Sequence, residues 1–219
     1  MARREKQAVL TTVVQTNAPA AGYHALILKN LEERRVALDT ALRDLAARSA
    51  LLNEAAELLV ETLRSGGRVL VAGNGGSAAE AQHFAGELVG RFKREREPYA
   101  VLPLTADTAT LTAVANDYGY EEVFARQLLA FGRPGDLFIA FSTSGESENL
   151  VRAALAGRRG ALHVLAITGE RSSRLESLAH LTIRVPSFDT AIIQELHMAI
   201  THLLCEIVEE ELAGQEGEA

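Results

Sequence analysis

The chain has 219 residues, of which 47% are apolar and 23% charged, with a formal net charge of −7 at pH 7. A chain of this length and composition can bury a sizeable core, which predicts a single soluble domain over residues 20–219. The acidic balance argues against a nucleic-acid partner, because phosphate contacts need clustered Lys and Arg, and Glu95 interrupts the basic run 91–96. Cys205 is the one cysteine, which excludes a disulfide framework and predicts a small core residue.

The first residues are charged and no long apolar run follows them, which predicts neither a signal peptide nor a membrane span. We therefore expect a cytoplasmic protein with no membrane partner. Residues 1–19 have no helical periodicity and end near Pro19, which predicts a separate N-terminal tail.

A helical hairpin is predicted over residues 20–66. Apolar residues recur at helical spacing from Tyr23 to Leu45, and a second helix runs from Leu51 to Arg64 before the stop signal Gly66. The hairpin has more apolar surface than one sheet edge can cover. We therefore expect it to pack against another subunit.

From Arg68 onward, short apolar strands alternate with helical stretches. The strands are predicted near residues 68–72, 99–104, 136–141, 163–168 and 181–185. This alternation is typical of an α/β fold, a three-layer αβα sandwich around a five-stranded parallel sheet, because parallel strands need crossover connections. In the flavodoxin-like strand order 2-1-3-4-5, ligands bind outside the carboxyl ends of strands 1 and 3.

Two serine-bearing loops follow strands 1 and 3 of this predicted sheet, at Gly73–Ser77 and Ser142–Ser147. Hydroxyls and backbone N–H groups at a helix N-terminus bind a phosphate dianion or a polyol, so two loops facing one pocket predict a phosphorylated sugar. Ser147 is placed to cap the helix that begins at Glu148. Glu146 and Glu148 must point outward, because they would repel a dianion.

The first loop also fits two other interpretations. Gly73, Gly75 and Ala78 match the G-x-G-x-x-A form of a dinucleotide fingerprint, which would mean NAD. That fingerprint asks for an acidic residue about 20 positions on. The nearest candidate, Asp107, comes 29 positions after Ala78 (107 minus 78). A tight turn without any ligand is the third interpretation.

Polar residues on two predicted helices are candidates for metal binding or proton transfer. His83 and Glu87 lie four residues apart on the predicted helix 77–92, which places them on one face. Such a pair can hold a metal or share a proton, although a surface ion pair has the same spacing. In the predicted C-terminal helix 190–212, Gln194, His197 and His202 interrupt an apolar stretch and need polar partners.

Four motifs, in this order along the chain, carry a resemblance to a known family: residues Ala72–Phe92, Ala115–Tyr120, Ser142–Gly145 and Ile193–His197. Together they resemble the phosphoheptose isomerases, which have a sugar isomerase (SIS) domain. The resemblance covers about residues 20–213. Each motif alone is of moderate specificity, but four in the same order make chance an unsatisfactory explanation.

The resemblance implies a set of site residues. Those that would contact the substrate, a phosphorylated seven-carbon sugar, are Asn74, Gly75, Gly76, Ser77, Glu87, Arg91, Asn116, Asp117, Ser142, Thr143, Ser144, Ser147 and Gln194. The serine loop would hold the phosphate, Arg91 would lie one turn beyond Glu87 on the same helix, and Asn116 and Asp117 would lie in a loop. Zinc, one ion per subunit, would be bound by four residues: His83, Glu87, Gln194 and His202.

The family's catalytic acid/base pair matches Glu87 and His202. Family members are homotetramers whose pockets are completed by neighbouring subunits, which agrees with the apolar N-terminal hairpin. Spacing alone would pair Gln194 with His197, because Gln194 and His202 are about 12 Å apart along a helix axis. His197 is therefore kept as the alternative ligand.

The implied reaction converts sedoheptulose 7-phosphate to D-glycero-D-manno-heptose 7-phosphate through an enediol(ate), the first step of nucleotide-activated heptose biosynthesis. A second resemblance gives the alternative, a non-catalytic SIS-domain regulator that binds a replication initiator protein. That relative has most of the same motifs, so the motifs alone do not separate the two functions.

Overall fold

The computed structural model of the chain describes residues 22–213, so the predicted tail over residues 1–19 lies outside the described residues. The chain divides into two compact units, one up to Val36 and one from Ala37 onward. The prediction of one domain over residues 20–219 stays a prediction.

Two helices precede the first strand, as the apolar periodicity predicts. Helix α1 is His24–Ala47 and helix α2 is Ser49–Arg64. Before Val36, five large apolar residues are more than half exposed: Tyr23, just before α1, and Leu26, Ile27, Leu28 and Leu31 within it. Among the described residues of their own unit, these side chains have no apolar cover.

The sheet has five parallel strands, β1 (Val69–Gly73), β2 (Val101–Pro103), β3 (Leu137–Ser142), β4 (His163–Thr168) and β5 (Leu181–Arg184). Their order is β2-β1-β3-β4-β5, so the predicted sheet and strand order are confirmed. Each predicted strand boundary lies within two residues of the observed one. The reversal between β1 and β3 opens the crevice in which this class of sheet binds ligands.

Helices cover both faces of this sheet. The bounds of the helices that follow α2 are α3 (Gly76–Val89), α4 (Thr108–Tyr118), α5 (Ala125–Phe131), α6 (Glu148–Arg159), α7 (Arg174–Leu178) and α8 (Thr190–Val208), which continues as a π-helical turn, Glu209–Ala213. Alternate β1 residues enter two different clusters: Val69 and Val71 pack with α2, α3 and α8, whereas Leu70 packs with α5 and α6. The central strands are therefore buried on both sides, which explains their unbroken apolar sequences.

Three site residues occupy different local structure from the one predicted. Helix α3 ends at Val89 because Gly90 leaves the helical conformation, so Arg91 lies beyond the helix and not one turn further along its face. Asn116 and Asp117 lie in the last turn of α4, which ends at Gly119 (φ +93°), and not in a loop. The prediction that α3 extends to residue 92 is therefore wrong. The predicted loop position of Asn116 and Asp117 is wrong as well.

Among the described residues, the stretch Thr190–Ala213 is long and apolar enough to cross a membrane by length and composition, with a mean hydropathy of 1.3. Half of it is buried within the protein, and Leu196, Ile200 and Leu204 belong to the main core cluster. A core helix gives the same hydropathy signal. Cys205, on this helix, is fully buried, and burial raises the pKa of its thiol to about 12.

Candidate functional site

The loop after β1 brings the start of α3 close to α8. Gly75 has φ +56°, in the left-handed region that favours glycine, and α3 begins at the next residue. A Cβ atom on Gly76 would overlap the side-chain amide of Gln194. The two glycines therefore permit a sharp turn and a contact between helices that a larger residue would prevent.

The loop after β3 arranges its hydroxyls through bonds to its own backbone. Ser142 Oγ accepts a hydrogen bond from the N–H of Gly145 at 3.0 Å, and Ser144 Oγ accepts one from the N–H of Glu146 at 3.2 Å. Ser147 occupies the N-cap position of α6, but its side chain makes no capping hydrogen bond. The predicted capping role of its hydroxyl is therefore wrong.

The two serine loops line one cavity of about 250 Å³. Eight of the residues expected to contact substrate line it: Asn74, Gly76, Ser77, Ser142, Thr143, Ser144, Ser147 and Gln194. The side chains of Ser77 and Ser142 are buried. The cavity therefore offers several hydroxyl groups and two amides around one open space, next to the apolar side chains of Phe141 and Leu150.

The two acidic residues of the second loop are engaged by arginine residues. The carboxylate of Glu148 accepts hydrogen bonds from Arg152 at 2.9 Å and from Arg174 at 2.7 Å, and these bonds hold its pKa below the usual value. Glu146 accepts a hydrogen bond from the backbone N–H of Arg174 at 2.9 Å. These contacts offset the repulsion that the acidic residues would exert on a dianion in the cavity.

The acidic residue that a dinucleotide site would need has a structural role. Asp107 is the N-cap of α4, where its carboxylate accepts hydrogen bonds from the N–H of Thr110 at 3.1 Å and from its hydroxyl at 2.6 Å. Asp107 therefore caps a helix, as its position before Thr108 favours.

A group of two histidines and one carboxylate lies where α3 and α8 pack together. His83 Nε2 lies 2.9 Å from His202 Nε2 and 3.1 Å from Glu87 Oε1, and the ligand atoms of all three lie within 4.8 Å of one another. Two facing imidazole nitrogens at this distance must share a proton or a metal. Two nitrogens and a carboxylate oxygen are a donor set that suits zinc, so these residues form a candidate metal-binding group.

The remaining polar residues of α8 separate into two environments. The amide of Gln194 lies against Gly76 and lines the cavity. His197 is fully buried, and its Nδ1 lies 3.3 Å from Glu80 Oε2. The partner of His197 is therefore Glu80 on α3, and the histidine that joins His83 and Glu87 is His202.

Five expected substrate contacts do not line the cavity: Gly75, Glu87, Arg91, Asn116 and Asp117. Glu87 belongs to the candidate metal-binding group, and the last three lie at the surface. Arg91 forms an exposed ion pair with Glu95 at 3.8 Å. Asn116 donates a hydrogen bond to Asp117 at 2.7 Å, and both side chains are exposed. Within one chain, these residues contribute to the surface and not to the cavity.

A buried ion pair that no sequence pattern indicated lies next to the candidate metal-binding group. Arg96 Nε lies 3.2 Å from Glu209 Oε1, and both side chains are only 1% exposed. Glu209 also accepts hydrogen bonds from the backbone N–H groups of Phe92, Lys93 and Arg94, and the ring of Phe92 stacks on His202. The sequence shows a basic run and an acidic C-terminal run, but it does not show which basic residue pairs with which acidic one.

The fold and the cavity define a class of α/β protein with a hydroxyl-lined cavity at the switch point of its parallel sheet. Comparison with family models identifies the class, since the SIS domain model matches residues 36–169. The chain therefore belongs to the SIS domain family.

Relatives within that family assign the chain to one group of its members. It is 44% identical to a phosphoheptose isomerase of Roseiflexus sp. (strain RS-1), over 90% of this chain and 98% of the relative. It is 43% identical to one of Helicobacter pylori (strain P12), over 86% and 96%. A solved phosphoheptose isomerase structure from Francisella tularensis superimposes with a TM-score of 0.80 at 36% identity, covering 84% of this chain and 98% of that one. Within the SIS family the chain groups with the phosphoheptose isomerases, which are enzymes, and the resemblance seen in the sequence motifs is confirmed.

Proposed function

We propose that this enzyme converts sedoheptulose 7-phosphate to D-glycero-D-manno-heptose 7-phosphate through an enediol(ate), in the cytoplasm, as the first step of nucleotide-activated heptose biosynthesis. The observation that carries the proposal is the convergence of Glu87 and His202, with His83, on one group of ligand atoms within 4.8 Å. No relative described above supports the alternative of a regulator that binds a replication initiator protein.

The span between the two parts of the site suits an open-chain sugar phosphate. Gly76, at the cavity, and Glu87 are eleven residues apart on α3, which is about 16 Å along the helix axis. The side chain of a helical residue leans toward the N-terminus, which brings the Glu87 carboxylate nearer to the cavity. Among the forms of a seven-carbon sugar phosphate, the extended open chain comes nearest to this span, and the lean of the Glu87 side chain shortens what remains.

The serine loop would bind the phosphate, with Ser142, Thr143, Ser144 and Ser147 offering hydroxyls to its oxygens. Asn74, Gly75, Gly76, Ser77 and Gln194 would hold the sugar next to it. Arg91, Asn116 and Asp117 lie apart from this cavity, so in our proposal they act on a sugar bound in a neighbouring subunit's site. The phosphate contacts orient carbons that are remote from them, which is how binding energy contributes to turnover.

The proposed chemistry moves one proton between adjacent carbons. Glu87 takes a proton from C1 of the open-chain ketose, which leaves an enediol(ate), and returns a proton to C2 to give the aldose. His202 moves the proton between the two oxygens and assists ring opening. No other bond is formed or broken, so this carboxylate and this imidazole account for each proton that moves.

The residues present fit zinc, one ion per subunit, because His83, Glu87 and His202 offer two nitrogens and one oxygen that face each other. Gln194 would complete the set through its amide oxygen if its side chain turned from Gly76. Bound zinc would polarise the substrate carbonyl as a Lewis acid.

We further propose a homotetramer whose sites are completed by neighbouring subunits. It is supported by the uncovered apolar residues at the start of α1, since a patch of this kind marks an interface.

The variant Leu31→Glu should shift the protein to smaller species in analytical ultracentrifugation and lower its activity by at least about tenfold, because a buried unpaired charge opposes assembly. Lys29→Gln, on the same segment, is the control that should stay tetrameric. A Leu31→Glu variant that remains a tetramer would contradict this interface.

The proposed reaction is tested by incubating the purified protein with sedoheptulose 7-phosphate in D2O, with and without added Zn²⁺, and following the products by NMR. We expect the aldose to form and to carry solvent deuterium at C2, because the proton that Glu87 takes from C1 exchanges with solvent before C2 is protonated. A protein that binds the sugar phosphate but forms no aldose in either condition would refute the isomerase and favour the regulator.

A further inference from the structure

The amide of Asn74 is held by two residues: Asn149, which lies in none of the four motifs, and Tyr120, the last residue of the motif Ala115–Tyr120. Asn74 Nδ2 donates a hydrogen bond to Asn149 Oδ1 at 2.9 Å, and Asn149 Nδ2 donates one back to Asn74 Oδ1 at 2.9 Å. The hydroxyl of Tyr120 donates a third hydrogen bond to Asn74 Oδ1 at 3.0 Å. Asn74 therefore joins the loop after β1 to the first turn of α6 and to the turn that follows α4.

The backbone fixes which way these amides point. Asn149 Oδ1 also accepts a hydrogen bond from the backbone N–H of Leu150 at 2.9 Å, and a backbone N–H can only donate. The amino group of Asn149 must then face Asn74 Oδ1. Asn149 is only 3% exposed, so water does not replace these partners.

This arrangement leaves Asn74 with a hydrogen-bond donor, and not an acceptor, to offer in the cavity. Both lone pairs of Asn74 Oδ1 are engaged, by Asn149 and by Tyr120, and one of its two N–H groups donates to Asn149. Within the part of the chain that the structure describes, one N–H of Asn74 remains for a ligand. Since Asn74 lines the cavity of the two serine loops, a bound sugar meets a donor at this point and no acceptor.

We propose that Asn149 is a positioning residue, assisted by Tyr120, that locks Asn74 as a hydrogen-bond donor to an oxygen atom of the sugar. The inference rests on the proposed function and adds to it a determinant of substrate selection. A ligand with a hydroxyl or carbonyl oxygen at this place accepts the bond. A ligand with an ammonium group there meets a second donor and is rejected, because neither group can accept.

A double-mutant cycle tests the inference, because a residue that acts through Asn74 has no effect once the Asn74 side chain is gone. We would measure kcat/KM for sedoheptulose 7-phosphate in wild type, Asn149→Leu, Asn74→Ala and the double variant. Leu has the branching of Asn without its hydrogen bonds. We expect Asn149→Leu to lower kcat/KM by about tenfold or more in wild type, and by less than about twofold in the Asn74→Ala background.

Tyr120→Phe gives the same test at a half-exposed residue, where misfolding is not a concern. We expect kcat/KM to fall about threefold in wild type and to stay unchanged in the Asn74→Ala background. Asn53, an exposed asparagine on α2 whose amide donates to Glu57, gives the matched control, and Asn53→Leu should leave kcat/KM unchanged. The Kd of inorganic phosphate should stay within about twofold in every variant of Asn149 and Tyr120, because these residues act on the sugar end.

The inference would be overturned if Asn149→Leu lowered kcat/KM by the same factor with and without the Asn74 side chain, or if it left kcat/KM of the wild type unchanged. Either result would leave the proposed isomerase activity in place. If Asn149→Leu does not fold, the Tyr120→Phe cycle decides by the same criterion. A wild-type protein without turnover would contradict the proposed function itself, and the inference would fall with it.

Discussion

Replacing Glu87 with Gln is expected to lower kcat about a thousandfold, because a side-chain amide cannot take a proton from carbon. Gln has the size of Glu, so KM should change little, and a fall in kcat without a rise in KM is the mark of a group needed in the transition state. The measurement is steady-state kinetics with sedoheptulose 7-phosphate, together with the rate of solvent deuterium exchange into the substrate.

Two further measurements separate proton transfer from metal binding. Because Glu87 also belongs to the candidate metal-binding group, the zinc content of the Glu87→Gln variant should be determined and assays run with added Zn²⁺. Glu95→Gln, at an exposed carboxylate on the segment after α3, is the control and should keep full activity. If Glu87→Gln with bound zinc exchanged deuterium as fast as wild type, Glu87 would not be the base.

Replacing Glu209 with Gln is expected to lower the free energy of unfolding by about 3 kcal/mol or more, because Arg96 is left buried without its counter-ion. Arg96 also donates hydrogen bonds to the carbonyl oxygens of Glu87 and Leu88, each at 2.9 Å, and so holds the last turn of α3. The variant should therefore loosen the end of the helix that carries Glu87. Denaturant unfolding followed by circular dichroism measures the loss.

The contribution of Glu209 should also depend on pH. Burial raises the pKa of this carboxyl, but hydrogen bonds from the backbone N–H groups of Lys93, Phe92 and Arg94 and the charge of Arg96 outweigh it, so the folded-state pKa lies below the usual value. A lowered pKa stabilises the fold above the unfolded-state pKa, which is about 4.3 for Glu, and the contribution is lost as the pH falls through the folded-state pKa.

The difference in stability between wild type and Glu209→Gln should therefore be largest near pH 7 and shrink below about pH 4. Glu210→Gln is the matched control, because the Glu210 side chain is 59% exposed and its ion pair with Arg94 is 3.6 Å long. That variant should change the free energy of unfolding by less than about 0.5 kcal/mol at any pH. A Glu209→Gln variant as stable as Glu210→Gln would show that the buried pair contributes no net stability.

The strands and their order were predictable because the central ones are apolar on both faces. Val69, Val71, Leu137 and Ile139 face one helix layer while Leu70 and Phe138 face the other, so the sequence shows unbroken runs that have few alternative interpretations. The order 2-1-3-4-5 then placed both serine loops at one crevice. Helical spacing placed His83 beside Glu87.

The parts that were not predictable depend on contacts between distant segments. Helix α3 ends early at Gly90, and the segment beyond it is held by Glu209, more than a hundred residues away. The pairing of His197 with Glu80 requires the packing of α3 on α8, which leaves His202 as the histidine beside His83. Asn149 shows no pattern in the sequence, because its partner Asn74 is 75 residues away.

The state of Cys205 makes the protein well suited to site-specific labelling. The thiol is fully buried and its pKa is raised to about 12, so at neutral pH almost no thiolate is available for maleimide or disulfide reagents in the native protein. A cysteine introduced at an exposed position, such as Leu129, would then be the single reactive thiol of each chain without removal of the natural one. Fluorophores or spin labels attached there would report ligand binding and, in the homotetramer we propose, subunit exchange on an otherwise unaltered core.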